Sequence, residues 1–182
     1  SKSMERDSYD SGDWYNEVDF SYQSSDWNRG LPRQDKDGSN WDLITEVIQS
    51  AGAGAAPTPE AIAYTNQQVR ELLTVRRDCP LFRLQTAEAI QNRLRFLNTG
   101  TGQIPGVIGY SLLDDTSNGL PDLDAANDEI VVVINASNST QTLSTGLSGT
   151  FAVMADTSPT ETASASGGDF SVPALSVGVF TR

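Results

Sequence analysis

The apolar positions along the chain change their period once. Leu43, Ile44, Val47 and Ile48 fall on one side of a short helix predicted over Asp42 to Gln49. Ile62, Val69, Leu72 and Leu73, with Arg76, mark a second helix of about five turns that ends near Arg77. Thr58 supplies a capping hydroxyl for it and Pro59 occupies its first position. Pro80-Leu81-Phe82 halts that helix, and Thr86 to Ile90 predicts one more helical turn. From about Asn92 the period becomes two. Arg93 to Asn98 alternates, and Thr99-Gly100-Thr101-Gly102 turns. Strands are predicted at Val107–Leu113, Glu129–Asn135 (buried), Gln141–Leu143, Thr150–Met154, Asp169–Val172 and Val177–Thr181. Short strands with Gly, Ser and Asn between them indicate an antiparallel sandwich.

The polar stretches divide these elements. Val18, Phe20 and Tyr22 alternate with polar residues and suggest a short extended piece. Ser50 to Pro59 reads as a flexible connector, Asp114 to Asp128 as a long acidic loop, and Thr157 to Gly168 as a mobile Ser/Thr/Ala/Gly-rich segment. The sequence shows no internal repeat. A boundary near residue 90 follows. Residues 1–90 are loops and helices without strands to complete a core, and residues 91–182 suffice for a small β domain.

Composition narrows the function. With 24 acidic against 12 basic residues the net charge is −12, which repels phosphate backbones and argues against nucleic acid. A neutral ligand such as a glucan suits this surface. The mean hydropathy is −0.35, and the longest strongly apolar run, Ile130 to Ile134, falls far short of the ~20 residues of a membrane span. Ser1 begins no charged-then-apolar leader; in a longer protein such a leader would lie upstream. The chain has no histidine, which removes Ser-His-Asp and Cys-His catalysis and every His-ligated metal site within it. Cys79 is the single cysteine and reads as a packed thiol. Asp35 to Asn40 resembles a calcium loop in outline but lacks a third acid before Gly38, so a plain Asp-Gly turn is expected and no metal site is assigned.

The stretch richest in chemistry is Ser1 to Asn16. It gathers Arg6, Asp7, Tyr9, Asp10, Asp13, Trp14, Tyr15 and Asn16 in a loop broken by Ser8, Ser11 and Gly12. Rings cover the apolar face of a pyranose, and carboxylates and amides hydrogen-bond its hydroxyls. By composition alone an exposed polar turn is the simpler reading.

The order of residues favours the sugar. Ser1-Lys-Ser-Met-Glu-Arg-Asp-Ser-Tyr-Asp-Ser-Gly-Asp-Trp-Tyr-Asn16 resembles the loop after the eighth barrel strand of pullulanase-type α-1,6-glucosidases, the pullulanases and limit dextrinases of the α-amylase superfamily. The resemblance continues through Trp27-Asn28-Arg29-Gly30-Leu31-Pro32-Arg33, Asp37-Gly38-Ser39-Asn40, Arg70-Glu71-Leu72-Leu73, Arg76-Arg77, Pro80-Leu81-Phe82-Arg83-Leu84 and Arg95-Phe96-Leu97-Asn98-Thr99-Gly100. It fades after about Asn135 and returns in Val172 to Val177. It implies an α+β fragment, with residues 1–90 as the last loop and helix of a (β/α)8 barrel and residues 91–182 as an antiparallel C-terminal β-sandwich domain.

The resemblance also implies a retaining two-carboxylate cleavage of α-1,6-glucosidic bonds in pullulan, amylopectin or limit dextrin. The family's nucleophile, acid/base and stabilising aspartate follow barrel strands four, five and seven, upstream of Ser1, so no catalytic residue is assigned here and the fragment is expected to be inactive. Asp7 and Tyr9 match positions that approach the glycone side of the cleft. Asp13, Trp14 and Asn16 match as substrate contacts or as the loop's own scaffold. Arg6 beside Asp7 reads as a positioning ion pair, and Trp27 and Trp41 as packing anchors or stacking platforms. Expected partners are the α-glucan and the remainder of the barrel. No cofactor is implied for the chain, though the parent enzyme could hold calcium. The family fits a secreted or cell-envelope bacterial enzyme or a plastid one. The alternative is a free-standing β module that binds carbohydrate or serves only as structure.

Overall fold

The computed structural model describes residues 35, 38–50, 58–114, 116 and 119–182. Two compact units, residues 1–67 and 68–182, divide it. In the first, a 3-10 turn at Gly38–Asn40 leads into helix α1, Trp41–Ser50. Leu43, expected on the apolar side of this helix, is 61% exposed. Helix α2, Pro59–Asp78, begins in the first unit and ends in the second. The Thr58 hydroxyl accepts from the Ala61 N–H at 3.2 Å, satisfying one of the free donors of the first turn.

The second unit is built on two antiparallel sheets. The strands are β1 (Leu94–Phe96), β2 (Val107–Leu113), β3 (Glu129–Asn135), β4 (Gln141–Ser144), β5 (Ala152–Asp156), β6 (Ser164–Ser166), β7 (Asp169–Val172) and β8 (Ser176–Thr181). One sheet runs β1-β2-β3-β8-β5 and the other β4-β7-β6. Tyr110 sits opposite Val132, and Val132 opposite Val179. A bulge between Val153 and Ala155 shifts the register of β5 on β8.

Alternate residues of the central strand β3 serve different cores. Val131 and Val133 join Val107, Leu143, Phe170, Val172 and Phe180 between the sheets. There Phe170 meets Phe151 edge-on at 5.0 Å and Phe180 at 5.0 Å, contacts each contributing about 0.5–1.5 kcal/mol beyond area burial. Ile130 and Val132 point the other way, into a cluster with Leu112, Val179, Cys79 and Leu81. Leu72 and Val75 of α2 pack on that cluster. A strand covered on both faces needs apolar side chains on both, which is why Ile130 to Ile134 reads as an unbroken apolar run. Only part of the α2 stripe is used: Val69 and Leu73 are 51% and 58% exposed.

Three expectations change. Arg93 does not open an alternating strand; it ends helix α3, Ala87–Arg93, capped by the Thr86 hydroxyl, and is buried. The predicted strand at Thr150–Met154 starts later, at Ala152, leaving Phe151 as a core residue before it. The segment Thr157–Gly168, expected to be mobile, is tied down. Asp156 accepts from the Ser158 and Ala163 N–H groups at 2.9 and 2.7 Å, Thr157 bonds Val177 in both directions, and Ala163 is buried. Its end is an edge strand, β6, joined to β7 by the two-residue turn Gly167-Gly168. Both glycines have positive φ, 57° and 90°, as the mirror-image hairpin turns require.

The two turn glycines differ in their surroundings. A Cβ on Gly168 would lie 2.1 Å from the Leu147 carbonyl oxygen, whereas one on Gly167 meets nothing within 4 Å. Gly168→Ala should therefore destabilise the chain by about 2–4 kcal/mol, strain plus a backbone clash, and Gly167→Ala by about 1 kcal/mol. Urea unfolding of the two variants measures this, and equal losses would show that the hairpin yields freely.

Cys79 is 3% exposed under α2. Burial first, then the neighbouring Asp124 carboxylate, pushes its thiol up to about 12. An ordinary thiol is half thiolate near pH ~8.5; Cys79 should resist iodoacetamide there until denaturant is added. Full alkylation of the folded chain would show that this core opens.

Candidate functional site

The residues assigned to sugar binding, Asp7, Tyr9, Asp13, Trp14 and Asn16, lie outside the described residues, as do Arg6 and Trp27. Trp41 is half-buried at the first position of α1. Lys36 and Asp37 of the Asp-Gly turn are also outside the described residues, and Gly38 begins the 3-10 turn before α1. Among the described residues no group of three or more His, Cys, Asp or Glu side chains gathers to hold a metal, and no helix is long and apolar enough to cross a membrane.

Buried charge marks where chemistry could reside, and the buried carboxylates Asp114 and Glu129 both have partners. Asp114 pairs with the buried Arg93 guanidinium through one oxygen and accepts from the Leu123 and Asp124 N–H groups, at 2.9 and 2.6 Å, through the other. Arg93 also donates to the Leu113 and Pro121 carbonyls at 3.0 and 2.5 Å. The pair thus clips the acidic loop to the end of β2. Glu129, 2% exposed, accepts from the Arg182 Nε at 2.9 Å, and Arg182 lies 5.5 Å from the Phe151 ring centre. Both carboxylates hold loops and strand ends in place.

Two asparagines act the same way. Asn98, in the motif Arg95 to Gly100, donates to the Ile104 and Val107 carbonyls at 2.9 and 2.7 Å and accepts from the Ile104 N–H at 2.8 Å. It closes the turn between β1 and β2. Asn135 donates to the carbonyls of Ser139, Val172 and Pro173 at 2.8, 3.0 and 2.9 Å and accepts from Ser137. It joins two of the crossings between the sheets, β3 to β4 and β7 to β8. Its side-chain nitrogen is therefore committed, and of the Asn-X-Ser/Thr sequences Asn135-Ala136-Ser137 and Asn138-Ser139-Thr140 only the second has an exposed asparagine.

The signal for the Arg93–Asp114 pair was present in the sequence as an arginine just before a strand and an aspartate just after one. An arginine in an alternating run, however, reads as surface. Surface hollows lie among the described residues of the β unit. One of about 410 Å³ lies at Pro80, Arg83, Gln85, Thr86 and Leu123. Another of about 350 Å³ runs along Asn98 and Gln103 to Gly109. The third, about 360 Å³, is an apolar groove under Phe96, Ile108 and Tyr110. None brings a nucleophile beside a base: the one thiol is the neutral, buried Cys79.

Comparison with known proteins supplies the identity that this geometry lacks. Residues 22–182 match the family model described as alpha-1,6-glucosidases, pullulanase-type, C-terminal. The chain is 45% identical over 139 residues to pullulanase 1, chloroplastic, of Arabidopsis thaliana, covering 75% of this chain and 14% of that protein. It is 41% identical over 144 residues to a pullulanase of Klebsiella pneumoniae, covering 79% of this chain and 13% of that protein. The structure superposes on the maltotriose complex of PulA from Klebsiella pneumoniae with a TM-score of 0.76 and 34% identity, over 100% of this chain and 20% of that one. The chain belongs to the pullulanase-type α-1,6-glucosidases, whose C-terminal region it represents.

Proposed function

We infer that this chain is the C-terminal part of a larger debranching hydrolase that cleaves α-1,6-glucosidic bonds in pullulan, amylopectin or limit dextrin. The reading rests on one observation above all: relatives named pullulanase align over three quarters of this chain, which spans only 14% and 13% of their length. The retaining mechanism requires two carboxyl groups ~5 Å apart across the bond. Their place is assigned to the part of the protein upstream of Ser1, in keeping with the engagement of Asp114 and Glu129 in structural contacts. The α-glucan ligand is inferred from the maltotriose bound to the Klebsiella protein.

Within the reading, residues 1–90 are the last loop and helix of the catalytic barrel and residues 91–182 its C-terminal β domain. The outward Val69 and Leu73 of α2 favour a helix that meets a second body. The compactness of residues 68–182 favours the other reading, a self-contained carbohydrate-binding or structural module. The isolated 182-residue chain should release no reducing sugar from pullulan. Activity that co-purifies with the chain through successive columns would overturn the assignment of the catalytic acids.

Asp7 and Tyr9 are proposed to hold the glycone, with Asp13, Trp14 and Asn16 as further contacts or loop scaffold. A hydrogen bond to a charged acceptor contributes roughly 1.5–3 kcal/mol, so Asp7→Ala in the full-length enzyme should lower kcat/KM about ten- to a hundredfold. Tyr9→Ala should cost a similar order through lost ring contact. Both losses should be larger for branched dextrins than for a minimal substrate, with little change in Tm. Equal losses on all substrates together with a lower Tm would assign both residues to the scaffold of the loop.

A further inference from the structure

Packing accounts for most of the motif Pro80-Leu81-Phe82-Arg83-Leu84. Pro80 opens a 3-10 turn, Pro80–Arg83, Leu81 is buried, and Phe82 and Leu84 pack on the cluster beneath α2. Arg83 is the exception. It is exposed and lines the hollow of about 410 Å³ beside the turn, together with Gln85 and Thr86. Pro80, Leu84, Ala89 and Leu123 supply apolar surface to the same hollow. Its size falls within the ~300–1,000 Å³ usual for small-molecule sites. Its walls are anchored separately. The Phe82 N–H donates to the Cys79 carbonyl at 3.3 Å and fixes the turn. The Thr86 hydroxyl accepts from the Ala89 N–H at 3.1 Å. Leu123 lies on the acidic loop, where its N–H donates to Asp114 at 2.9 Å, and Asp114 is clipped in turn by Arg93. The buried ion pair therefore positions one wall of the hollow.

We propose that this hollow binds a neutral α-glucan segment, with Arg83 and Gln85 as its hydrogen-bonding residues. The ligand class rests on the reading of the chain as part of a debranching hydrolase. The chemistry of the lining favours it over other small molecules. Arg83 supplies donors only, and the Gln85 amide supplies both donors and an acceptor. The Thr86 hydroxyl accepts from Ala89 and keeps its proton to donate. Sugar hydroxyls both donate and accept, and the C–H faces of the ring suit aliphatic surface. An anion is disfavoured. The chain carries a net charge of −12, and the Arg83 charge already acts on Asp78, whose carboxyl is held low first by its bond to Arg77. A purely apolar ligand is disfavoured too, because it would strip water from a guanidinium and an amide without replacing the hydrogen bonds.

The test is a titration of the isotope-labelled 182-residue chain with maltotriose, read as NMR shifts of backbone amides. The Gln85, Thr86 and Leu123 amides should shift along one saturating curve. Arg83→Ala should raise its Kd at least about tenfold, as expected for losing a charged donor, and Gln85→Ala about two- to tenfold. Both residues are exposed, so neither exchange should move Tm. No shift at these amides, or an unchanged curve in both variants, would overturn the proposal. Weaker binding with a lower Tm in both would make the two residues structural and reject it as well. A stronger response to inorganic phosphate would identify an anion site instead, and an equal response to glycerol would show contact with any polyol. Shifts that vanish in Asp7→Ala would belong to the first loop and remove the hollow from consideration. In the full-length protein, maltotriose should slow hydrogen exchange over residues 80–90, and Arg83→Ala should abolish the slowing. Exchange there that ignores maltotriose would exclude the site from the intact protein. Pullulan hydrolysis by the full-length protein, assayed separately, decides the catalytic reading, while the shifts at Gln85 and Thr86 decide the hollow.

Discussion

Strand β3 cannot choose its register by its apolar pattern. Burial on both faces makes Ile130, Val131, Val132, Val133 and Ile134 nearly interchangeable, and a slip of one residue would still place an aliphatic side chain at each core position. The ends of the strand decide. Glu129 must meet Arg182, and Asn135 must meet the carbonyls of Ser139, Val172 and Pro173. A slip would bury a carboxylate and an amide without partners, at about 1–3 kcal/mol for a neutral group and more for a charged one. The remaining pairings follow, since β3 lies between β2 and β8 and the Asn135 amide also fixes where β7 turns into β8.

The same economy of buried polar groups runs through the β unit. Arg93, Asp114, Glu129 and Asn135 are buried, and each is matched to a loop, a strand end or a crossing between sheets. Asp114 is held on every side: its two oxygens meet one guanidinium and two backbone N–H groups, which leaves little room for a substrate. These contacts are the stuff of a scaffold.

Much of the fold was legible in the sequence. Strands β2, β3 and β7 were read with their observed ends, because each combines apolar residues with flanking turn signals. The starts of α2 and α3 were marked by Thr58 and Thr86, whose hydroxyls cap them. Strand β6 was missed because Ser164-Ala165-Ser166 offers little apolar alternation, and its identity comes from pairing with β7 through Gly167-Gly168. That glycine pair was the available hairpin signal. Arg93 was misread because its burial depends on Asp114, 21 residues away, a pairing that no local period encodes. The candidate sugar-binding loop was legible only as a motif: Asp7, Tyr9, Asp13, Trp14 and Asn16 lie outside the described residues, so their roles rest on the match of residue types and spacing.

Helix α2 connects the β unit to the proposed barrel in physical terms. In a protein most of a helix's stability comes from packing of its apolar positions, and α2 runs 20 residues. Here the positions are divided: Leu72 and Val75 rest on the β unit, while Val69 and Leu73 face outward. If both sets are covered in the full-length protein, neither body holds the helix alone, and loosening one loosens the other. The β unit would then bear on the cleft. It would steady the last helix of the barrel, and through it the loop that carries Asp7 and Tyr9.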